Sequence, residues 1–427
     1  MPKHGIGAAS LILSLLALGF VSAAVPSDLK PNRPRNLVAP RIAGLPITGQ
    51  TLSAHRGAWS QSPTRYRYVW QRCGKAGRSC RRVSRGSSSK YLISRRDVGH
   101  RLRIVVMASN RAGSTSARSR LTASVTRGGV ATKSPPPAGG YFGLQPVGAW
   151  SRLPSGASCA RLVHRSTWEP RPDNNKRNHI VPDATAVHQA FAARPLAVDN
   201  NYDRRWDRWL LPRVDGQFTG TTDEIFQWGA CKWGLSDDML RAIAVEESTW
   251  YQYLAYPSNR CVSYYGCGDF FGASSAASTV FCNAIARYGY DYQRDYGPGL
   301  CPQTFSIVGI KAWQAPSWGR MPDNQNGTFP FSRDSTAFAV DYISAFLRGC
   351  YEGWEHWLRT AGTPTYAAGD VWGCVGSWFS GDWHSAGAER YVSRVRADIS
   401  DRTWLQPGWP RDRPPCSSHG CPGPDKL

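Results

Sequence analysis

Acid is what this chain has least of at its start. Residues 1–140 hold two carboxylates, Asp28 and Asp97, against 24 lysines and arginines, whereas residues 141–427 carry 28 charges of each sign. The whole net charge of +22 therefore lies in the first third, and a chain divided in this way reads as two modules with different partners. Other absences narrow the chemistry. The twelve cysteines show no C-x-x-C spacing and there is no H-E-x-x-H run, so neither a structural nor a catalytic metal has support. G-x-S-x-G is missing, and with it the nucleophile elbow of serine hydrolases. No internal repeat stands out, and no cofactor motif is present. No long apolar run follows residue 24, so the mature chain should have no transmembrane segment.

What is present begins with a leader. Met1-Pro-Lys-His4 is weakly basic, Ile6 to Val21 is apolar, and Ser22-Ala23-Ala24 is small. That order predicts a secretory signal peptide over 1–24. The apolar run is short of the ~20 residues a spanning helix needs, and no cysteine follows it to carry a lipid. An even number of cysteines in an exported chain reads as disulfides. Proximity suggests Cys73–Cys80, Cys261–Cys267, Cys282–Cys301, Cys350–Cys374 and Cys416–Cys421, leaving Cys159 with Cys231. Sequence does not fix connectivity, and other pairings stay open. With a partner at hand for every cysteine, a Cys–His peptidase is disfavoured.

Residues 25–40 form a Pro- and Arg-rich linker. From 41 to 126 the pattern is that of strands. Tyr66, Tyr68, Trp70 and Arg72 alternate with Arg65, Arg67, Val69 and Gln71, and Leu102, Ile104, Val106 and Ala108 alternate with Arg101, Arg103, Val105 and Met107. Glycines at 44, 49, 57, 86, 99 and 113 punctuate these runs as turns. Short strands around a core tryptophan predict a small β-sandwich. Its arginines exceed what solubility requires and suit a polyanion. Residues 127–140, with Ser134-Pro-Pro-Pro-Ala-Gly-Gly140, make a Gly/Pro linker. A tail at 406–427 is rich in proline and glycine.

Between them, 141–405 is a helix-rich region with an irregular lead-in over 141–218. Thr221-Thr-Asp-Glu224 has capping-box form, Gly234 reads as a helix stop, and Ser236 as the N-cap of a second helix with Asp237 and Asp238 in its first turn. Residues 335–348 and 388–400 predict two more amphipathic helices. The second helix ends in Arg241-Ala-Ile-Ala-Val-Glu-Glu-Ser-Thr-Trp250. Leu240, Ile243, Ala244 and Glu247 share helical spacing, so Glu247 lies on or beside the buried face and Glu246 points elsewhere. A carboxylate there is costly unless it has a partner or a task. Glycosidic cleavage needs such an acid, held in partly apolar surroundings so that it keeps its proton. The bland alternative is a helix end with two surface acids. Aromatics crowd the following stretch (Trp250, Tyr251, Tyr253, Tyr256, Tyr264, Tyr265, Phe270 and Phe271), which suits the flat C–H faces of sugars, although each alone could be core. Asp269 is the best second carboxylate, against the plainer role of a turn-forming Asp.

Ala244-Val-Glu-Glu-Ser-Thr-Trp250 resembles the E-S-x-[FW] helix of soluble lytic transglycosylases and their lysozyme-like relatives. Phe305-Ser-Ile-Val-Gly-Ile-Lys311 resembles their G-[LI]-x-Q-[IV] segment, and Gly376-Ser-Trp-Phe-Ser-Gly381 falls where they have A-Y-N-x-G. The resemblance spans about 145–405 and is nearest to secreted actinobacterial members. Upstream, Ala43 to Leu52, Gly57-Ala-Trp59, Tyr68 to Cys73 and Ala108 to Gly113 resemble bacterial immunoglobulin-like modules. Together they imply a multidomain chain: a small all-β immunoglobulin-like sandwich, then a mostly α lysozyme-like (α+β) domain. They imply a secreted, wall-associated, monomeric enzyme cleaving peptidoglycan glycan strands, with the basic module on anionic wall polymers. Glu247 would be the acid, Asp269 a weaker second, and Ser248, Trp250, Ile307 and Trp378 would bind substrate. The sequence departs from the family at Ser306 for Gly, Gly309 for Gln and Trp378 for Tyr. Gly309 and Trp378 favour the alternative of a catalytically impaired wall-binding or surface-adhesion protein, and Glu247-Ser248 opposes it.

Overall fold

The computed structural model describes residues 32–83, 88–129, 133–197, 201–252, 276–289, 291, 293, 301–302, 304–312, 326–360 and 366–410. The leader, most of the tail, Asp269, the aromatics from Tyr253 to Phe271, and the pairs Cys261–Cys267 and Cys416–Cys421 lie outside the described residues. A β-sheet region comes first and a mostly helical region follows.

The β region contains β1 (Asn36–Val38), β2 (Arg41–Ala43), β3 (Thr51–His55), β4 (Ala58–Trp59), β5 (Arg65–Cys73), β6 (Arg81–Arg82), β7 (Lys90–Leu92), β8 (Arg101–Asn110) and β9 (Gly113–Arg118). They form antiparallel sheets in the orders β1-β4, β2-β3-β7 and β6-β5-β8-β9. The period-two pattern explains the packing, because alternate residues turn to opposite faces. Trp70 sits opposite Ile104 and Tyr68 opposite Val106. Trp70, Leu102, Ile104 and Val106 then close with Leu52, Ile93 and Val125 into one fully buried cluster. The region's described acid, Asp97, is wholly buried and accepts from Arg72, the Tyr91 hydroxyl, and both the backbone N–H and hydroxyl of Ser94.

The helical region contains α1 (Gly156–Leu162), α2 (Asn175–Asn178), α3 (Ala184–Ala192), α4 (Thr222–Trp233), α5 (Asp237–Ser248), α6 (Ala276–Ala286), the hairpin β10 (Thr304–Phe305) and β11 (Ile310–Lys311), then α7 (Phe331–Asp334), α8 (Thr336–Tyr351), α9 (Val371–Ser380) and α10 (Ala386–Asp401). Every residue of α4 is buried. It packs against α1, α5 and α8, and Gly229 allows the close approach to α8, since a Cβ there would meet Val340 Cγ1 at 2.7 Å. The expected caps are present. Thr221 and Glu224 form a reciprocal capping box, Gly234 takes the left-handed turn, and Ser236 accepts from the Met239 N–H. Burying α4 and α5 also buries charge, and each charge is met. Arg241, fully enclosed, pairs with Asp223, Asp237 and Asp238, while Lys232 pairs with Asp215 and Asp341.

Among the described residues four disulfides are formed: Cys73–Cys80, Cys159–Cys231, Cys282–Cys301 and Cys350–Cys374. Among the described residues no helix is long and apolar enough to cross a membrane, and no cluster of three metal-ligating side chains occurs.

The two regions meet through β2, β3 and the turn between them. Gln50 and Thr219 bond reciprocally: Gln50 Nε2 donates to the Thr219 carbonyl at 2.5 Å, and the Thr219 N–H donates to Gln50 Oε1 at 2.6 Å. The Thr51 N–H donates to Thr219 Oγ1 at 2.8 Å. Gln50 is 1% exposed and Thr219 0%, so this seam is closed to water. Ile47 packs into the helical core rather than the β core.

Candidate active site

The site is built at the C-terminal end of α5. An apolar stripe seats the helix, and its last turn is then held by an unusual backbone. Thr249 and Trp250 are both left-handed, at φ 52° and 62°, a conformation that costs a β-branched or bulky residue energy. The fold pins them in place. Arg171 donates to the Thr249 carbonyl at 2.8 Å, Asn174 to the Trp250 carbonyl at 2.7 Å, and the Trp250 ring N–H to the Arg241 carbonyl at 2.9 Å. Trp250 is entirely buried, edge-on to Phe226, Trp168 and Trp409 and stacked on Trp404.

Glu247, partly exposed, projects from this fixed end toward α10. The Tyr391 hydroxyl donates to Glu247 Oε1 at 2.6 Å. Tyr391 is itself buried and stacks face to face on Phe379 at 4.6 Å. Burial first, and then the charge of Glu247, push its phenol well above the ordinary tyrosine value, so it stays a donor. The other carboxylate oxygen faces a bare backbone: a Cβ on Gly309 would stand 2.4 Å from Glu247 Oε2.

Gly309 closes the β10–β11 hairpin, and three side chains tie that hairpin to α5 and α9. Ser248 Oγ donates to the Ile307 carbonyl at 2.7 Å, the Ile307 N–H donates to Gln252 Oε1 at 3.1 Å, and Trp378 Nε1 donates to the Val308 carbonyl at 3.1 Å. The turn has left-handed residues at both ends, Ser306 at φ 85° and Gly309 at φ 62°. Ser306 therefore holds a backbone shape suited to the glycine of the resembled motif. At 309 no side chain fits beside the carboxylate as placed.

Glu247, Ser248, Ile307 and Trp378 thus come together from three separate stretches of chain. Trp250, Ile307 and Ser248 have almost no exposed surface, so any part they take is by positioning the acid and the hairpin. Trp378 is half-buried, edge-on to Phe346 at 4.9 Å.

Glu246, expected to point elsewhere, also turns to α10, where it takes a bond from Arg394 and retains 19% of its side-chain exposure. Asp398, one turn further, has its carboxyl pushed up to about 6, by burial above all and also by the charge and hydrogen bond of Glu246, against a lowering bond from Thr403. Sequence reasoning missed Tyr391 and Gln252, and marked Gly309 only as a departure from the resembled motif. The signal for Tyr391 was a tyrosine on the same stripe as Val392 and Val395 of an amphipathic helix, since a buried phenol O–H needs a partner.

No protein-family model matches the chain, and no curated protein matches it. Among solved structures it is similar to a crystal structure of titin domains, with 17% identity over 22% of this chain and 32% of that one, and a TM-score of 0.15. The chain spans about a third of that structure's length, and so slight a likeness carries no argument about fold or function.

Proposed function

We propose that the chain is a secreted peptidoglycan lytic transglycosylase, with a lysozyme-like helical domain behind an immunoglobulin-like basic module that attaches to anionic wall polymers. The observation that carries this reading is the clamp on Glu247: a tyrosine O–H on one oxygen, a glycine backbone facing the other, and a pinned helix end beneath. Four disulfides favour an exported setting.

In the proposed reaction Glu247 gives its proton to the glycosidic oxygen and the C–O bond breaks. A hydroxyl of the same sugar then closes on the anomeric carbon, and the Glu247 carboxylate takes that hydroxyl's proton. No water is consumed and one carboxylate suffices, whereas hydrolysis with two carboxylates would call on a second such as Asp269. Tyr391 orients Glu247 and helps carry its charge between the two steps.

Glu247→Gln keeps the shape and removes the titrating proton, so turnover of purified glycan strands should fall by ~10²-fold or more, with anhydro sugars as the parent's products by mass spectrometry. Unchanged turnover in the variant would remove Glu247 from the mechanism. Reducing-end products, lost in Asp269→Asn, would make it a hydrolase. The second reading, an impaired wall-binding or adhesion protein, is favoured by Gly309, which has no side-chain amide to offer a sugar, and by Trp378, whose N–H is spent on Val308. Strand binding without turnover by the parent would select it.

A further inference from the structure

We infer that the outer face of the β6-β5-β8-β9 sheet is a binding surface for a linear phosphodiester polymer that carries no bases. This rests on, and sharpens, the reading of the N-terminal region as a wall-attachment module, but it is independent of what Glu247 does.

Register defines the face. Arg67 lies opposite Met107, Val69 opposite Val105, Gln71 opposite Arg103 and Arg65 opposite Ser109 on β5 and β8. Arg118 on β9 lies opposite Val105. Arg82 on β6 lies opposite Gln71, and Arg101, two residues before Arg103, completes a set of six arginines on one side of one sheet. Five of them are exposed and Arg103 is half-buried. Alternate residues on a strand are ~7 Å apart and neighbouring strands ~4.8 Å, so the guanidiniums form a two-dimensional array and not a scatter.

The face carries no acid of its own. Asp97 is the only carboxylate side chain between residues 32 and 140, and it is enclosed beneath the other side of the sheet, with Arg72. Arg103 shows the crowding: burial, and then the like charge of Arg118, both press against its own charge, and its guanidinium donates to the side-chain Oε1 of Gln71 at 2.8 and 3.1 Å. A surface that gathers like charge is destabilised by self-repulsion, and that cost is offset when a polyanion binds.

Two further features choose the polymer. All six cations are arginine, whose planar fork suits tetrahedral phosphate and holds its charge throughout. The aromatics of β5, namely Tyr66, Tyr68 and Trp70, all turn to the opposite face. The arginine face therefore has Val69, Val105 and Met107 at its centre and, among the described residues of β5, β8 and β9, no ring on which a base could stack. Single-stranded nucleic acid sites rely on such rings. The face also lies away from the helical region, whose described hydrogen bonds to residues 41–51 fall at Arg41, Gly44, Gly49, Gln50 and Thr51, on the other sheet and the turn within it.

The test uses the full oxidised chain and a poly(glycerol phosphate) preparation, with binding measured across a salt series. Arg67→Gln/Arg103→Gln/Arg118→Gln should weaken binding at least tenfold at 0.1 M salt and flatten the log–log salt slope by about 2, at roughly 0.7 for each phosphate no longer neutralised. The charge-matched control Arg56→Gln/Arg95→Gln/Arg96→Gln removes three exposed arginines that lie off the face, Arg56 over the Tyr66 ring of the opposite side, and should cost less than threefold. Equal losses in the two triples would overturn the assignment to this face, as would a duplex DNA that displaces the polymer at equal phosphate concentration. Turnover of a soluble glycan oligomer should be the same in both triples and the parent, and Glu247→Gln should bind the polymer normally. Failure of the catalytic reading and failure of this one therefore give different results.

Discussion

At the scale of the residue, the site depends on bonds that are few and directional. Tyr391→Phe removes one O–H and keeps the ring on Phe379. A hydrogen bond to a charged group contributes roughly 1.5–3 kcal/mol, so on the proposed reaction kcat should drop about 10- to 100-fold with KM little changed, as steady-state kinetics on glycan oligomers would show. Asp398 makes a different prediction, about stability. Its folded value of about 6 lies above the ordinary aspartate value of 3.8, so between those two pH values the folded chain holds a proton that the unfolded chain has released. Stability from this group is then present below pH ~4 and lost as pH rises toward 6. Asp398→Asn cannot lose a proton, and its melting temperature should gain on the parent's from pH 4 to 6.5, then run parallel. A constant offset across that range would refute the raised carboxyl of Asp398.

At the scale of the element, much was legible because the signals are local. Thr221 and Glu224 are three residues apart, Gly234 ends one helix and Ser236 begins the next, and each acts on backbone within a turn of itself. The four disulfides join cysteines that proximity, or elimination in the case of Cys159 and Cys231, had suggested. What was not legible is the meeting of elements far apart in sequence. Glu247 and Tyr391 are 144 residues apart, and no period or spacing encodes that α10 lies across α5. The same holds for Glu246, whose expected outward direction follows from its own helix alone, while its partner Arg394 belongs to another. Arg241 is the test of how α4 and α5 are joined. Arg241→Met would leave Asp223, Asp237 and Asp238 enclosed without their cation, and breaking a buried pair in this way costs about 3–5 kcal/mol. Urea unfolding should register that loss. A change below 1 kcal/mol would mean the three acids are held by other groups.

At the scale of the whole molecule, composition announced two regions and the charge boundary near residue 140, but not the seam between them. Gln50 lies in a turn of a basic, strand-rich stretch and Thr219 in the irregular lead to α4, and neither is marked by its neighbours. Gln50→Ala would leave the Thr219 N–H enclosed without a partner and its carbonyl with only the long bond from Arg165 at 3.5 Å, at a cost of about 1–3 kcal/mol. Sixteen of the 18 tryptophans follow residue 140, so near-ultraviolet circular dichroism reports chiefly on the helical region. A lower midpoint in that signal, from a substitution made in the β region, is the expected outcome. An unmoved midpoint would mean that the regions unfold independently.

The Gln50–Thr219 clasp has a practical consequence for anyone who dissects this chain. Thr219 stands two residues before the N-cap of α4, and α4 carries α5. Cutting at the boundary that charge recommends would tear open a dry joint at the foot of the helix pair that holds Glu247. An excised helical half would begin life with a wound beside its own foundations, and feeble activity in such a fragment would measure the surgery and not the enzyme.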